Sequence, residues 1–327
     1  MKNIKIKDVA IYHPSNLVAN DFYLNHFEAR GENIEGFLKA MGRDKRYIIA
    51  DKENENSVTM GIEAAKRVLE KAQLTGKDID MIVFSSQVPE YTFPTNVMFI
   101  HEAIGAPSHC MIFDNNANCA GMTVAVDTAS RYMMTSKRVK RALVVGSDAN
   151  SLISNPEEAF TYAAFSDGAA AIILESTEED TGYIDVIYDV DSSYRDNLLY
   201  PKNGLSKSTG EKEYIYTNPN FDGSVIIPSA CKMIETLLEE NGMTIEDVDA
   251  FCMSQFALSN ILKIQEHFEV PDEKIIYAGN KYGYTSTSSP FFALNEGIET
   301  GRIKRGDIVL YWTVGTGHEM IAMLFKY

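Results

Sequence analysis

The stretch Met111-Ile112-Phe113-Asp114-Asn115-Asn116-Ala117-Asn118-Cys119-Ala120-Gly121-Met122 runs from apolar residues through a turn of small and amide side chains into a helical pattern. Cys119 therefore falls at or beside a helix N-terminus, where free N–H groups and the helix dipole favour a thiolate. Gly121 lets another chain or a ligand come close. A thiol on such a turn, with backbone donors beside it, has what covalent acyl transfer requires. A buried structural cysteine has the same local signature, so both readings stand at this point.

Histidines are the next candidates, and there are six. His13 precedes Pro14, His26 lies in a mixed polar segment, His101 and His267 fall on helical patterns, and His109 sits in a short connection. These five read as structural or solvated. His318 differs, because it follows Gly315-Thr316-Gly317 in a glycine-rich segment near the C-terminus.

The elements that position these residues alternate between strand and helix. Asp8 to Tyr12 is strand-like; Val58 to Ala72 has apolar residues on one helical side. Ile79 to Phe84, Met111 to Asp114 and Leu143 to Val145 read as strands, the last apolar enough to be covered on both faces. Met98 to Ile104 and Met122 to Met133 read as helices, with Met122, Met133 and Met134 as core. The order then recurs. "LEKAQLTGKDIDMIVFSS" at 69–86 matches "LEENGMTIEDVDAFCMSQ" at 238–255, with Asp78 and Asp80 over Asp247 and Asp249. "VMFIHEAIGAP" at 97–107 matches "ILKIQEHFEVP" at 261–271 in the same order. Two α/β halves, 1–175 and 176–327, are expected to pack with equivalent loops facing across a pseudo-twofold, a favoured place for a pocket. Residues 188–222 lack periodicity and read as a loop over one face, where function often lies.

Composition narrows the class. The chain has 327 residues, 46 acidic against 30 basic side chains and a net charge of −16. That charge opposes a general nucleic-acid surface. The basic run Lys137, Arg138, Lys140, Arg141 reads as a solvated helix end, with docking of a phosphate-bearing partner as the alternative. Four scattered cysteines make neither a metal site nor a disulfide framework. With no signal-like leader and no apolar run long enough to span a bilayer, a cytoplasmic protein without membrane insertion is expected.

Taken in order, "MGRDKR" at 41–46, "YTFPT" at 91–95, "NANCAG" at 116–121, "ALVVGSD" at 142–148, "FSDGAAAIIL" at 165–174, "GNKYGYTSTSSP" at 279–290 and "VGTG" at 314–317 resemble the thiolase-fold ketoacyl synthases. They look most like the ketoacyl-acyl-carrier-protein synthase III branch, and the resemblance spans essentially the whole chain. It implies a thiolase-like fold with five αβαβα layers, Cys119 as the acyl-accepting nucleophile, and pairing of two chains through the first half. A homodimer is the default expectation, with a paralogous partner as the alternative. Asp167 and Gly168 are expected to be structural, with Asn116 and Asn118 bracing the nucleophile loop.

The same resemblance exposes departures. Members usually carry a His-Gln-Ala-Asn segment after a second-half strand and an asparagine in Gly-Asn-Thr-Ser; the matching positions here are Ser254, in Ser254-Gln255-Phe256-Ala257, and Tyr284, after Gly283. Serine is no base near neutral pH, and tyrosine is bulkier than asparagine. His318 stands where phenylalanine is usual, in a segment that lines the family's pocket, and is a candidate base with Glu319 beside it. The usual coenzyme A clamp of one tryptophan and two arginines is missing: the stretch Gly36-Phe37-Leu38-Lys39-Ala40 has neither, and the second arginine position matches Ser259. Phe37, Lys39 and Lys263 are partial substitutes, and Lys39, Arg43, Lys45, Arg46 and Lys263 are a candidate docking patch for an acidic carrier protein. Phe256, Tyr282, Tyr284 and Gly317 are expected to shape the substrate channel.

Three readings follow. The first is an acyltransferase that passes an acyl group from a carrier-protein or coenzyme A thioester through acyl-Cys119 to an acceptor, without malonyl decarboxylation, in specialised metabolite biosynthesis. The thioester is then the substrate, and no cofactor or metal is held permanently. The second is a carbon–carbon bond-forming 3-oxoacyl synthase with a rearranged site using His318 and Tyr284. The third is a non-catalytic subunit of a heteromeric synthase.

Overall fold

The computed structural model describes residues 2–327. Two sheets form its frame. The first runs Asn3–Tyr12, Asp167–Thr177, Arg141–Ala149, Met81–Ser85, Met111–Asn115. The second runs Ala250–Met253, Ile308–Gly315, Glu319–Lys326, Gly182–Val190. In both, parallel strands meet an antiparallel pair in the same succession. The fifth strand of the second sheet is reduced to a single bridge between Phe251 and Ile275.

Alternation along the strands shows why five layers form. Met81 and Val83 face a central apolar layer, whereas Ile82 and Phe84 face the helices Ser57–Lys71 and Val97–Ile104 outside. Ala250 and Cys252 face the same central layer from the other side, and Phe251 and Met253 face the outer helices Ile226–Glu240 and Leu258–Phe268. Strands covered on both faces need no polar side, which is why Leu143 to Val145 is wholly apolar. The central layer holds two helices, Gly121–Thr135 and Ser289–Glu299. Met122, Met133, Phe291 and Leu294 are fully buried there. Each such side chain contributes about 1.5–3 kcal/mol relative to exposure.

The internal repeat has a counterpart in local geometry. Thr75 and Asp78 form a capping box around one turn, and Thr244 and Asp247 form another. The Asp80 N–H donates to Arg141 O while its carboxylate accepts from the Arg141 N–H; Asp249 makes the same pair with Ile308. The two matched helices both close on a left-handed residue, Gly105 and Glu269. The first strand is longer than Asp8 to Tyr12 because Ile4 and Ile6, alternating with Lys5 and Lys7, make a half-buried edge against Asp167–Thr177.

Among the described residues no helix is long and apolar enough to cross a membrane, and no cluster of His, Cys, Asp and Glu could hold a metal ion. All four cysteines are free.

Candidate active site

Cys119 occupies a one-turn helix, Asn118–Ala120, directly before the central helix Gly121–Thr135. The turn opens with Asn118 at φ +49°, held by the Asn116 Oδ1, which accepts the Asn118 N–H at 2.9 Å. Asn115 adds a second brace by donating from Nδ2 to Gly121 O at 2.8 Å. Glycine is required at 121, because a Cβ there would stand 2.4 Å from Ser85 Oγ. The helix N-terminus is capped from across the pseudo-twofold: Thr287 Oγ1 accepts the Met122 N–H at 2.6 Å.

Thr287 belongs to the equivalent turn, Ser286–Ser288, which precedes the other central helix and also opens with a left-handed residue, Ser286 at φ +56°. The two turns meet at the sulfur. Ser286 Oγ donates to Cys119 Sγ at 3.3 Å, and Sγ donates to Gln87 Oε1 at 3.4 Å. The Tyr284 hydroxyl is near enough to the same sulfur to affect its charge. Ser254 stands behind Tyr284, its Oγ buried and without a partner in good geometry.

Electrostatics correct one expectation. Burial pushes the Cys119 thiol up to about 11, while the Ser286 and Tyr284 hydroxyls pull it back only in part. A helix N-terminus is worth about 0.3–1 kcal/mol, under one pKa unit, whereas desolvation shifts a buried group by several. Burial wins, and it favours a thiol over a thiolate at Cys119. Burial likewise holds the Tyr284 hydroxyl far above the usual phenol value.

Cys119 opens on a cavity of about 210 Å³. Ile153, Phe165, Ile215, Phe221, Phe256 and Tyr284 give it an apolar wall. Asn116, Asn197, Asn260 and Asp222 supply polar groups, and no lysine or arginine is among the lining residues. The 188–222 segment contributes Tyr194, Leu198, Leu199 and Ile215, tied by a two-residue ladder between Leu198–Leu199 and Tyr216–Thr217. His318 lines the cavity too, at φ +60° and stacked on Tyr194 with ring centroids 5.2 Å apart. Its Nδ1 is buried without a partner. Glu319 does not orient it: that carboxylate lies with Asn118, on the opposite side of the strand.

Other sequence candidates separate. Phe256 and Gly317 line the cavity. Tyr282 does not; its ring packs on Phe292 and His13 in the central core, with its hydroxyl near Glu296. Phe37 packs between two small apolar clusters rather than on the cavity wall. Lys39 is exposed on the helix Glu35–Met41, which packs against the helix carrying exposed Lys263. Arg43 and Arg46 are not docking residues, being 2% and 0% exposed. Arg43 donates to the carbonyls of Met41, Ala164, Gln255 and Phe256 and so braces the loop after Ser254. Asp167 is a loop brace, accepting from the Ile49 and Ser151 N–H groups, and a Cβ on Gly168 would meet the Phe292 ring at 2.9 Å. His13, His26, His101 and His267 bond to carbonyls or to Glu235, and His109 is exposed.

Comparison with known proteins places this geometry. Family models described as 3-oxoacyl-acyl-carrier-protein synthase III and its C-terminal part match residues 113–192 and 238–327. The chain is 33% identical over its whole length to the whole beta-ketoacyl-acyl-carrier-protein synthase III of Clostridium perfringens. It is 30% identical, again with full coverage of both, to the enzyme of the same name from Neisseria gonorrhoeae. The chain belongs to the synthase III family. The crystal structure of 3-oxoacyl-acyl-carrier-protein synthase III from Aquifex aeolicus superposes with a TM-score of 0.86 at 25% identity, covering all of both chains. The fold is therefore the thiolase-like fold of the synthase III enzymes.

Within this synthase III frame, sequence reasoning missed Gln87 and Ser286, the two side chains hydrogen-bonded to the sulfur. Neither is near Cys119 in the sequence. The repeat was the usable signal: Ser286 opens the turn before the second central helix as Asn118 opens the turn before the first.

Proposed function

We propose that the protein is a cysteine-dependent acyltransferase of the synthase III type that does not decarboxylate malonyl groups. One observation carries this reading. The sulfur is surrounded by Ser286, Tyr284 and the Gln87 amide oxygen, with Ser254 near Tyr284, and among the described residues no imidazole or basic nitrogen bonds to it. Decarboxylation needs donors fixed on the thioester carbonyl where the enolate charge develops, and losing one such donor costs about 100-fold or more. Thioester exchange needs less. The Cys119 sulfur bonds to the donor's carbonyl carbon, the bond to the donor's sulfur breaks, and the cysteine proton leaves on the departing thiol. The Cys119 N–H and the Tyr284 hydroxyl are placed to stabilise the oxyanion and the attacking sulfur.

The cavity wall suits an apolar acyl group, and a lining with Asp222 but no lysine or arginine suits a pantetheine arm better than a nucleotide phosphate. A carrier protein is therefore the favoured donor, docking on Lys39 and Lys263, with coenzyme A thioesters as the alternative. His318 acts on the acceptor. Glu319, turned toward Asn118, does not hold the imidazole as a base, and the ring is read as a hydrogen-bond donor to the acceptor's carbonyl. The acceptor is a small molecule or a carrier-bound group in specialised metabolism, and the protein works in the cytoplasm. A homodimer is expected through the edge strand Met111–Asn115, beside which Phe93 is 84% exposed and Met98 50%.

The carbon–carbon synthase reading keeps one supporting observation, the imidazole of His318 in the cavity. The deciding experiment offers acyl donors together with malonyl-carrier protein and measures carbon dioxide release. Acyl-Cys119 without carbon dioxide supports the transferase. Stoichiometric carbon dioxide with a 3-oxoacyl product overturns it in favour of the synthase.

A further inference from the structure

One side chain bonded to the sulfur, Gln87, has no part in that mechanism. A carboxamide presents either its oxygen or its NH2 group, and what it offers the sulfur is decided by the groups behind it. The Ser166 carbonyl can only accept. Asn150, fully buried, therefore turns its Nδ2 to Ser166 O at 3.0 Å and its Oδ1 to Gln87. Gln87 then meets Asn150 Oδ1 with its Nε2, at 3.0 Å, and directs Oε1 at Cys119 Sγ, 3.4 Å away. The Gln87 N–H, bonded to Asp148 Oδ1 at 2.8 Å, fixes the backbone. At the far end the Ser166 N–H donates to Tyr284 O at 2.9 Å, which ties the chain of amides to the segment leading into the Ser286–Ser288 turn. Oε1 is thus committed to accepting and lines the cavity beside the nucleophile. Among the described residues the thiol is its one hydrogen-bond donor.

Acylation removes that hydrogen. The cysteine proton leaves with the donor's thiol, the thioester sulfur carries none, and Oε1 is left in the cavity as an acceptor without a donor. An unpaired polar group beside an apolar wall is unfavourable, and the second substrate is what can pair it. We propose that Gln87 is a catalytic residue for the transfer step, and that the acceptor is a neutral amine or alcohol whose N–H or O–H bonds to Gln87 Oε1. This rests on the reading of Cys119 as the acyl-carrying nucleophile.

The acceptor's nitrogen or oxygen bonds to the acyl carbon, and the carbon–sulfur bond breaks. The acceptor's proton passes to Cys119 Sγ, restoring the thiol that Gln87 held at the start. An amide oxygen is too weak a base to take the proton itself. As nitrogen or oxygen attacks it gains positive charge, its hydrogen becomes a stronger donor, and the bond to a fixed acceptor tightens in the transition state. A carbon nucleophile brings negative charge and no such hydrogen, so it faces the oxygen lone pairs uncompensated. The lining holds Asp222 and no lysine or arginine to offset that charge.

The test loads Cys119 of the full-length protein from an acyl thioester and follows loss of the acyl mass in single turnovers. Butylamine, butanol and acetylacetone, a stable carbon nucleophile, are offered in turn. Each rate is divided by that of the same nucleophile with the acyl thioester of N-acetylcysteamine in buffer. In the wild type the normalised rate with the amine or the alcohol is expected to exceed that with acetylacetone by about tenfold or more, the discrimination of one charge-assisted hydrogen bond. A normalised rate for acetylacetone equal to or above both overturns the proposal, and that arm needs no variant to fold. Gln87→Met keeps the side-chain length and removes the acceptor. It is expected to take up the acyl group at close to the wild-type rate and to lose about tenfold or more in discharge to the amine or alcohol. Asn150→Ala, which releases the amide without touching the sulfur, is expected to slow discharge in the same direction and by less. Unchanged discharge in Gln87→Met, or acylation and discharge falling together, gives Gln87 a structural role and overturns the proposal. Absence of acyl-Cys119 in the wild type overturns the nucleophile reading and this proposal with it, so the two failures are distinguishable.

Discussion

Three hydroxyl or amide groups around one sulfur make the nucleophile's chemistry a matter of individual atoms. Ser286 and Tyr284 favour charge on the sulfur, while burial opposes it. Removing the Tyr284 hydroxyl alone, with Tyr284→Phe, is expected to slow acylation of Cys119 by about 10- to 100-fold, the range for a lost oxyanion-type donor that is partly backed up by a backbone N–H. The cavity stays the same size, so KM for the donor is expected to hold while kcat falls; single-turnover kinetics separate the two. His318→Gln keeps an N–H donor and is expected to retain transfer to the acceptor, whereas His318→Phe is expected to lose it with Cys119 acylation intact. Comparable loss in both variants would restore a base role to His318. The place of Cys119 at a turn before a helix was legible in the sequence, because strand, small-residue turn and helix follow one another locally. Its charge state was not, since burial comes from Phe165, Ile215 and Phe256, which are remote in the chain.

The elements explain why the site sits where it does. Two equivalent turns, each opening on a left-handed residue and each leading into a central helix, meet across the pseudo-twofold. Their contact depends on Gly121 and on Gly283, whose φ is +76° and where a Cβ would fall 2.6 Å from Ser166 Cβ. Gly121→Ala must displace Ser85 Oγ, and is expected to destabilise by about 1–3 kcal/mol. Denaturant unfolding with an unchanged m-value would show this as a lower midpoint. The repeat was readable because turn-capping threonine–aspartate pairs and helix ends recur at fixed offsets. The contacts between the two copies were not, because no local pattern says which hydroxyl of 285–288 reaches the sulfur. Arg43 and Arg46 show the same limit: charge suggested surface, but Arg43 is enclosed by the carbonyls of Met41, Ala164, Gln255 and Phe256, and Arg46 by the Ala163 carbonyl and the Asn20 side chain.

For the whole molecule, the acidic balance bears on stability and on partners. The carboxylates of Asp78 and Asp247 sit below the usual range because the Thr75 and Thr244 N–H and hydroxyl groups donate to them. A depressed folded pKa contributes stability above the unfolded value near 3.9 and loses it as pH falls through the folded value. Acid unfolding of Asp78→Asn and Asp247→Asn is therefore expected to be less steep below about pH 4 than that of the wild type. Sedimentation should report a dimer, and Phe93→Asp should shift it toward monomer, since burying an aspartate in an apolar contact is strongly unfavourable. A dimer unaffected by that change would place the interface elsewhere. The acidic balance was visible in composition, but the exposed apolar edge was not, since it required the sheet order, which puts Met111–Asn115 at an edge.

The most direct measurement is intact-protein mass spectrometry after incubation with acyl-carrier-protein and acyl-coenzyme A thioesters, the wild type beside Cys119→Ala. The expected result is a mass gain of one acyl group on the wild type alone, larger with carrier-protein donors. Equal gains on both proteins, or none on either from any donor, would contradict Cys119 as the acyl-carrying nucleophile.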